Sequence, residues 1–234
     1  MFKRFQYLGV VLAVFGLAFV LAGGYAFIKV QDGQRALNAF STAQAVKLSY
    51  NDQGQLTDHG DAAAATAIMS RLTNEWGFAV DNADFNPSDP IVNTASEYMY
   101  QMATISTHVL DMQIPITLTA DYTAPDGTFY AAGTEIPFSV DGRYYSQFDR
   151  TDPVQAAARG IAWSPTALAL IGQLGVGAAT ASSLQLGLGV AAALGGIGVI
   201  FLVAGLGLVW AVRPETVKVR EAATKTTMAP APVA

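Results

Sequence analysis

His59 and His108 are the only histidines in a chain of 234 residues, so the groups near each of them set the chemistry open to an imidazole here. His108 and Met112 stand four residues apart and share a face if that stretch is helical, with Met102 upstream on the same helix. Imidazole and thioether together suit Cu(I), which makes His108, Met112 and Met102 a candidate copper set; the competing use of methionine on an amphipathic helix is core filling. In "TDHGD" Asp58, His59 and Asp61 have the ligand types for zinc or a hard ion. A turn followed by a helix N-cap explains the same residues and is the favoured reading. Asp81, Asp84, Asn86 and Asp89 in "DNADFNPSDP" offer oxygens to calcium, but the loop lacks the central glycine and closing glutamate of an EF-hand. It reads first as a solvated loop. Apart from copper and calcium as candidate ions, no cofactor is implied.

Nucleophilic chemistry has little to work with. The chain has no cysteine, no G-x-S-x-G, no H-E-x-x-H and no phosphate-binding loop. The expectation is therefore a protein that is not an enzyme. Phe129, Tyr130, Phe138, Tyr144, Tyr145 and Phe148 cluster in the sequence and are expected to pack a sheet rather than cage a ligand. Without disulfides, an exported domain has to be held by its core.

The elements that carry these residues follow from hydropathy. Residues 8–30, "LGVVLAVFGLAFVLAGGYAFIKV", and 186–213, "LGLGVAAALGGIGVIFLVAGLGLVWAVR", each exceed the roughly 20 apolar residues that carry a helix across about 30 Å of hydrocarbon. The first run is longer than the roughly 7–15 apolar residues of a secretory signal, so it is expected to stay as an anchor. Between the runs, residues 31–185 hold six Lys/Arg against sixteen Asp/Glu. Lys3 and Arg4 precede the first run, and Arg213, Lys218, Arg220 and Lys225 follow or end the second. Basic flanks stay in the cytoplasm, so both termini are expected inside and the acidic centre outside. That acidity also argues against nucleic acid. Tyr7 and Trp210 at one interface, with Tyr25 and Phe27 at the other, fit aromatic belts.

Both runs are rich in small residues. On a helical wheel Gly187, Ala191, Gly195, Gly198 and Gly205 fall in a sector about 80° wide, with Gly189, Gly196 and Gly207 opposite. The first run has Gly9, Gly16 and Gly23 at heptad spacing and Ala18, Ala22 and Ala26 at spacing four on another side. Small residues let backbones approach in lipid, and heptad spacing favours a left-handed crossing. One companion helix cannot fill every small face, so a further partner is expected: another copy or a different integral membrane protein.

The organisation expected is a membrane protein with two transmembrane helices flanking an α+β extracytoplasmic domain with a small antiparallel sheet. Residues 1–30 would hold the cytoplasmic N-terminus and first span, and 31–164 the extracytoplasmic domain. Residues 165–212 would form an apolar helix that becomes the second span, and 213–234 a basic, mostly disordered cytoplasmic tail. Within the domain, "NDQG" at 51–54 reads as a turn, Asp61 as an N-cap, and "TASE" at 94–97 as a capping box opening a helix to about Met112. "IPITLTADY" alternates as a strand. Asp141-Gly142 predicts a hairpin between "TFYAAGTEIPFSV" and "RYYSQF". Asp152-Pro153 starts a helix, with Gln155 completing a box.

"SEYMYQMATISTHVLDM", "GRYYSQFDRTDPVQAAAR" and "LGLGVAAALGGIGVIFLVAGLGLVW", in that order, resemble a group of actinobacterial two-span integral membrane proteins with a small extracytoplasmic domain. Tyr144, Tyr145, Asp149, Asp152 and Pro153 carry the most specific part of the likeness. Some of that group bear the label aromatic ring-opening dioxygenase. Such iron sites need several His and carboxylate ligands, and two histidines far apart in sequence do not support it. The resemblance implies topology and source, with no catalytic residues to carry over.

These readings favour a non-catalytic accessory or structural subunit of a cell-envelope membrane complex, docking through its Gly/Ala-lined helices. The alternative is an extracytoplasmic ligand- or copper-binding module that senses a ligand or delivers one to a membrane partner.

Overall fold

Two apolar stretches, 5–28 and 166–212, hold neither Pro nor charge, so residue after residue adds a hydrogen bond, and the helices they nucleate continue past Lys29, Asp32 and Arg35 in one and past Arg213 and Pro214 in the other. In a computed structural model describing residues 2–227, and the side chains of 3–212, they are α1 (Phe2–Gln44) and α5 (Pro165–Thr227). Each is long and apolar enough to cross a membrane. Between them lies a small region of short helices and short antiparallel sheets. Helical backbone runs through Thr227, into the segment that composition assigns to a disordered tail. The side chains of Arg213, Lys218, Arg220 and Lys225, and all of residues 228–234, lie outside the described residues.

The chain divides into two units, Met1–Arg35 with Ser183–Ala234, and Ala36–Ser182. The second unit starts with the end of α1, which gives way at Ala45 in the left-handed region, φ 52°. β1 (Ser49–Tyr50) and β2 (Leu56–Thr57) pair across a turn held by the Asn51 side chain, which accepts from the Gln53 and Gln55 amides. α2 (Ala62–Ser70) is capped by Asp61, whose carboxylate accepts from Ala63 N at 2.7 Å, and it continues as a π turn over Arg71–Glu75. α3 (Ala95–Leu110) opens on the expected capping box.

The later half holds β3 (Gln113–Thr117), β4 (Tyr122–Thr123), β5 (Phe129–Tyr130), β6 (Glu135–Ser139) and α4 (Pro153–Ala162). β3 pairs with β6 and β4 with β5, both antiparallel. Pro115 faces Pro137 across the β3–β6 ladder. Neither has an amide hydrogen, so this is a non-hydrogen-bonded pair, the position a two-stranded ribbon tolerates for proline.

The hairpin expected at Asp141-Gly142 does not form. The turn itself is present, with φ 48° and 73°, but the Gly142 amide donates to Leu110 O. The following residues make a 3-10 turn at Tyr145–Gln147 instead of a strand. β6 has already paired with β3, so the turn serves to lead the chain away from the sheet. A second correction concerns α4. Asp152 caps it as expected, accepting from Val154 N and Gln155 N, but Gln155 Oε1 accepts from Asp149 N rather than closing a box on the cap.

Two apolar clusters stabilise this unit. One joins α2, α3 and the first turns of α5 through Ile68, Leu72, Tyr98, Tyr100, Ala103 and Leu174. The other joins β3, β6 and α4 through Leu110, Ile114, Ile116, Val140, Phe148 and Trp163. α3 contributes to both. At Gly177 an added Cβ would lie 2.6 Å from the Tyr98 ring, so only glycine lets α5 lie this close to that ring. The Tyr98 hydroxyl shares a 2.7 Å hydrogen bond with Ser41.

The start of α3 depends on one buried carboxylate. Glu97, 1% exposed, accepts through Oε2 from the Asn93 and Thr94 amides and from the Thr94 hydroxyl, at 2.9, 2.9 and 3.0 Å. Burial pushes its pKa up from the ordinary value of 4.5, more than those hydrogen bonds pull it down. The folded state thus holds the proton more tightly than the unfolded chain does. This contribution to stability is complete below pH 4.5 and is lost as pH rises through the folded pKa. In thermal unfolding followed by circular dichroism, wild type is expected to lose stability relative to Glu97→Gln as pH rises from 4.5 to neutrality. Glu97→Ala should cost about 1–3 kcal/mol near pH 4.5 and less toward neutrality, because three part-buried donors lose their acceptor.

Candidate functional site

Two arrangements in this chain go beyond packing: a glycine seam in the first unit and a histidine–carboxylate cluster in the second. The seam forms because α1 and α5 both present glycine at seven-residue steps, and the steps run in opposite directions. A Cβ at Gly9 would stand 2.8 Å from Gly205 O, one at Gly16 2.5 Å from Leu202 N and 2.7 Å from Gly198 O, and one at Gly23 2.8 Å from Ala191 O. The reverse holds from α5, where Gly198 would meet Gly16 O at 2.8 Å and Gly205 would meet Gly9 O at 2.5 Å. Backbone therefore packs on backbone. Gly187 closes on Val30, Gly33 on Leu184, and Phe19 meets Phe201 edge to face.

The remaining small residues are not used in this way. Gly189 and Gly196 are exposed, and an added Cβ would meet nothing within 4 Å at either, nor at Gly207. Gly195 is half-buried; its backbone lies against Gly23, while its own Cβ would point into open space. Ala18 and Ala22 are exposed on α1. The α1 pairing thus takes one of the two glycine faces of α5, and the opposite one stays open beside exposed Val199, Val203, Leu206 and Trp210.

The second arrangement joins residues 50 positions apart. Asp58 and Asp61 exchange backbone hydrogen bonds across His59-Gly60, a two-residue turn with φ 49° and 85°. That turn sits between β2 and the Asp61 cap of α2, so both its ends are fixed. His108 reaches it from the last turn of α3. His108 Nε2 lies 2.7 Å from Asp58 Oδ2, His59 Nδ1 lies 3.5 Å from Asp58 Oδ1, and the two imidazoles stack with centroids 5.0 Å apart. The ligand atoms of all three lie within 4.8 Å of one another. Beside them is a cavity of about 260 Å³ lined also by Lys47, Thr57, Tyr100 and Thr104. The Tyr100 phenol is buried, and burial, reinforced by the Asp58 charge, holds its pKa at about 12.

The structure does not assemble the copper set. Met102 packs against the α2–α3 cluster and Met112 against the β3–β6 cluster, so two thioethers on one helix serve two different cores. His108 goes to Asp58 and His59 instead. Asp61 is occupied as a cap. In the calcium loop Asp81 and Asn86 accept from the Ala83 and Ser88 amides, and the Asn86 and Asp89 backbones bridge in a turn, so two of its four side-chain donors serve its own turns. His59 and His108 lie on separate segments, and no local pattern signals that two distant segments converge.

No protein-family model, no curated protein and no solved structure matches this chain, so the likeness to actinobacterial two-span proteins gains no support from them.

The seam separates two classes of glycine. Gly16→Leu should destabilise the α1–α5 pair by about 1–3 kcal/mol through overpacking, while Gly196→Leu should leave it unchanged. Thermal unfolding of both variants in detergent checks this.

Proposed function

We propose that this chain is a two-span integral membrane protein, both termini cytoplasmic, acting as a non-catalytic accessory subunit of a membrane complex. The observation that carries the reading is the division of glycines on α5: one face packs backbone to backbone on α1, and the other, Gly189, Gly196 and Gly207, meets nothing. In hydrocarbon no hydrophobic force draws helices together, so small residues matter where a second helix comes close.

The membrane setting itself has three supports. The most apolar stretch of each helix is only 11% buried, so rows of Val, Leu, Ile and Phe face outward, far more than a water-exposed surface carries. Tyr7 and Trp210, both strongly exposed, fall at the same end of the antiparallel pair, as an aromatic belt requires. From Tyr7 to Lys29 the helix rises about 33 Å, close to the thickness of the hydrocarbon layer. Lys29 sits over the Tyr25 ring and beside Asp32, polar groups expected where a helix leaves lipid.

Two experiments test the reading. The chain has no cysteine, so Gln53→Cys gives a single reporter on an exposed turn. A membrane-impermeant maleimide should label it in intact cells; labelling only after permeabilisation would invert the orientation. For the subunit role, mild detergent extraction at native expression should recover the chain with a membrane partner. Gly196→Leu should lose that partner while the chain keeps its own fold. A lone monomer, or recovery unaffected by Gly196→Leu and Gly189→Leu, removes the docking face.

A further inference from the structure

We infer that Asp58, His59 and His108 form a binding site for a divalent transition-metal ion of the zinc type. Among the described residues these are the His, Asp and Glu side chains whose ligand atoms converge in a group of three. Imidazole nitrogen with carboxylate oxygen suits zinc, cobalt, nickel and cupric ions, whereas calcium prefers all-oxygen shells and Cu(I) prefers sulfur. Zinc bonds of about 2.0–2.2 Å in a tetrahedron place neighbouring ligand atoms about 3.3 Å apart. The separations of 2.7 and 3.5 Å from the Asp58 oxygens, with all three ligand atoms within 4.8 Å, bracket that value. A small opening of one contact and closure of another would meet it.

Further features favour a site over a chance contact. His59 occupies the left-handed region at φ 49°, which histidine adopts more readily than most non-glycine residues, and this backbone turns its imidazole toward Asp58. Asp58 is held from both sides, its side chain 16% exposed while His59 is 82% exposed. The carboxylate is therefore set from below and the open side remains for a water molecule. Three protein ligands and one water is the open form of a zinc centre. Tyr100, whose hydroxyl is buried, and Thr104 line the same cavity. A bound ion would tie the turn before α2 to the end of α3. This inference stands independently of the docking role, since it concerns only residues of the second unit.

The test uses the untagged full chain in detergent, stripped with a chelator and titrated with Zn²⁺ against a chromophoric competitor. One equivalent should bind. His59→Asn, which suits the left-handed backbone, and His108→Gln should each lower affinity at least tenfold, and Met112→Leu should leave it unchanged. Co²⁺ should give the intense visible bands of a four-coordinate site, lost in the two histidine variants. Circular dichroism of His59→Asn separates loss of a ligand from loss of fold. Less than one equivalent in the wild type, or unchanged affinity in a folded His59→Asn, overturns the assignment.

Discussion

Backbone contact between α1 and α5 is the constraint on which the first unit rests. At Gly16 and Gly198 each helix lies where the other's Cβ would be, so the pair exists only because neither has one. Such a contact gains dispersion energy from main-chain atoms on both sides and costs no side-chain entropy. It also fixes register. Glycines at 9, 16 and 23 meet the α5 backbone around 205, 198 and 191, and a slip of a residue or two would drive a bulky ridge into the seam. One consequence is that Gly33 and Leu184 touch, so the chain segments leading into and out of the second unit start side by side.

Within the second unit the corresponding role falls to α3. Its buried start is fixed by Glu97, its middle supplies Tyr98, Tyr100 and Ala103 to one apolar cluster, and its end supplies Val109 and Leu110 to the other. His108 sits between these anchored stretches, which explains how a partly exposed imidazole keeps a defined direction. The turn at 58–61 is held as firmly, by the exchanged hydrogen bonds on one side and the α2 cap on the other. A site made from two such supports is pre-arranged even though its surface is open to water.

Much of the local structure was legible from residue types. Asp61, Thr94 and Asp152 cap helices because a short acceptor followed by a helix-compatible run satisfies the first free amides. The small-residue sectors on α5 could be drawn from a wheel, because the period of a helix is set by its own hydrogen bonds. The misreadings have a common origin. Asp141-Gly142 makes its turn, but β3 competed successfully for β6. Gln155 found Asp149 instead of its own cap. In both cases local chemistry was read correctly, and a different partner decided the outcome: β3 took β6, and the Asp149 amide, six residues upstream, took the Gln155 side chain.

The amino-acid order by itself determined where the long helices run, which of their faces are small, and where the shorter helices start, because those properties depend on neighbours within a few residues. Only the tertiary structure decided which glycine face α1 takes, which is left open, and that His59 and His108 meet at Asp58. Those outcomes depend on close approach between segments far apart in the chain, and such an approach is selected by the fit of the whole core rather than by any stretch of it.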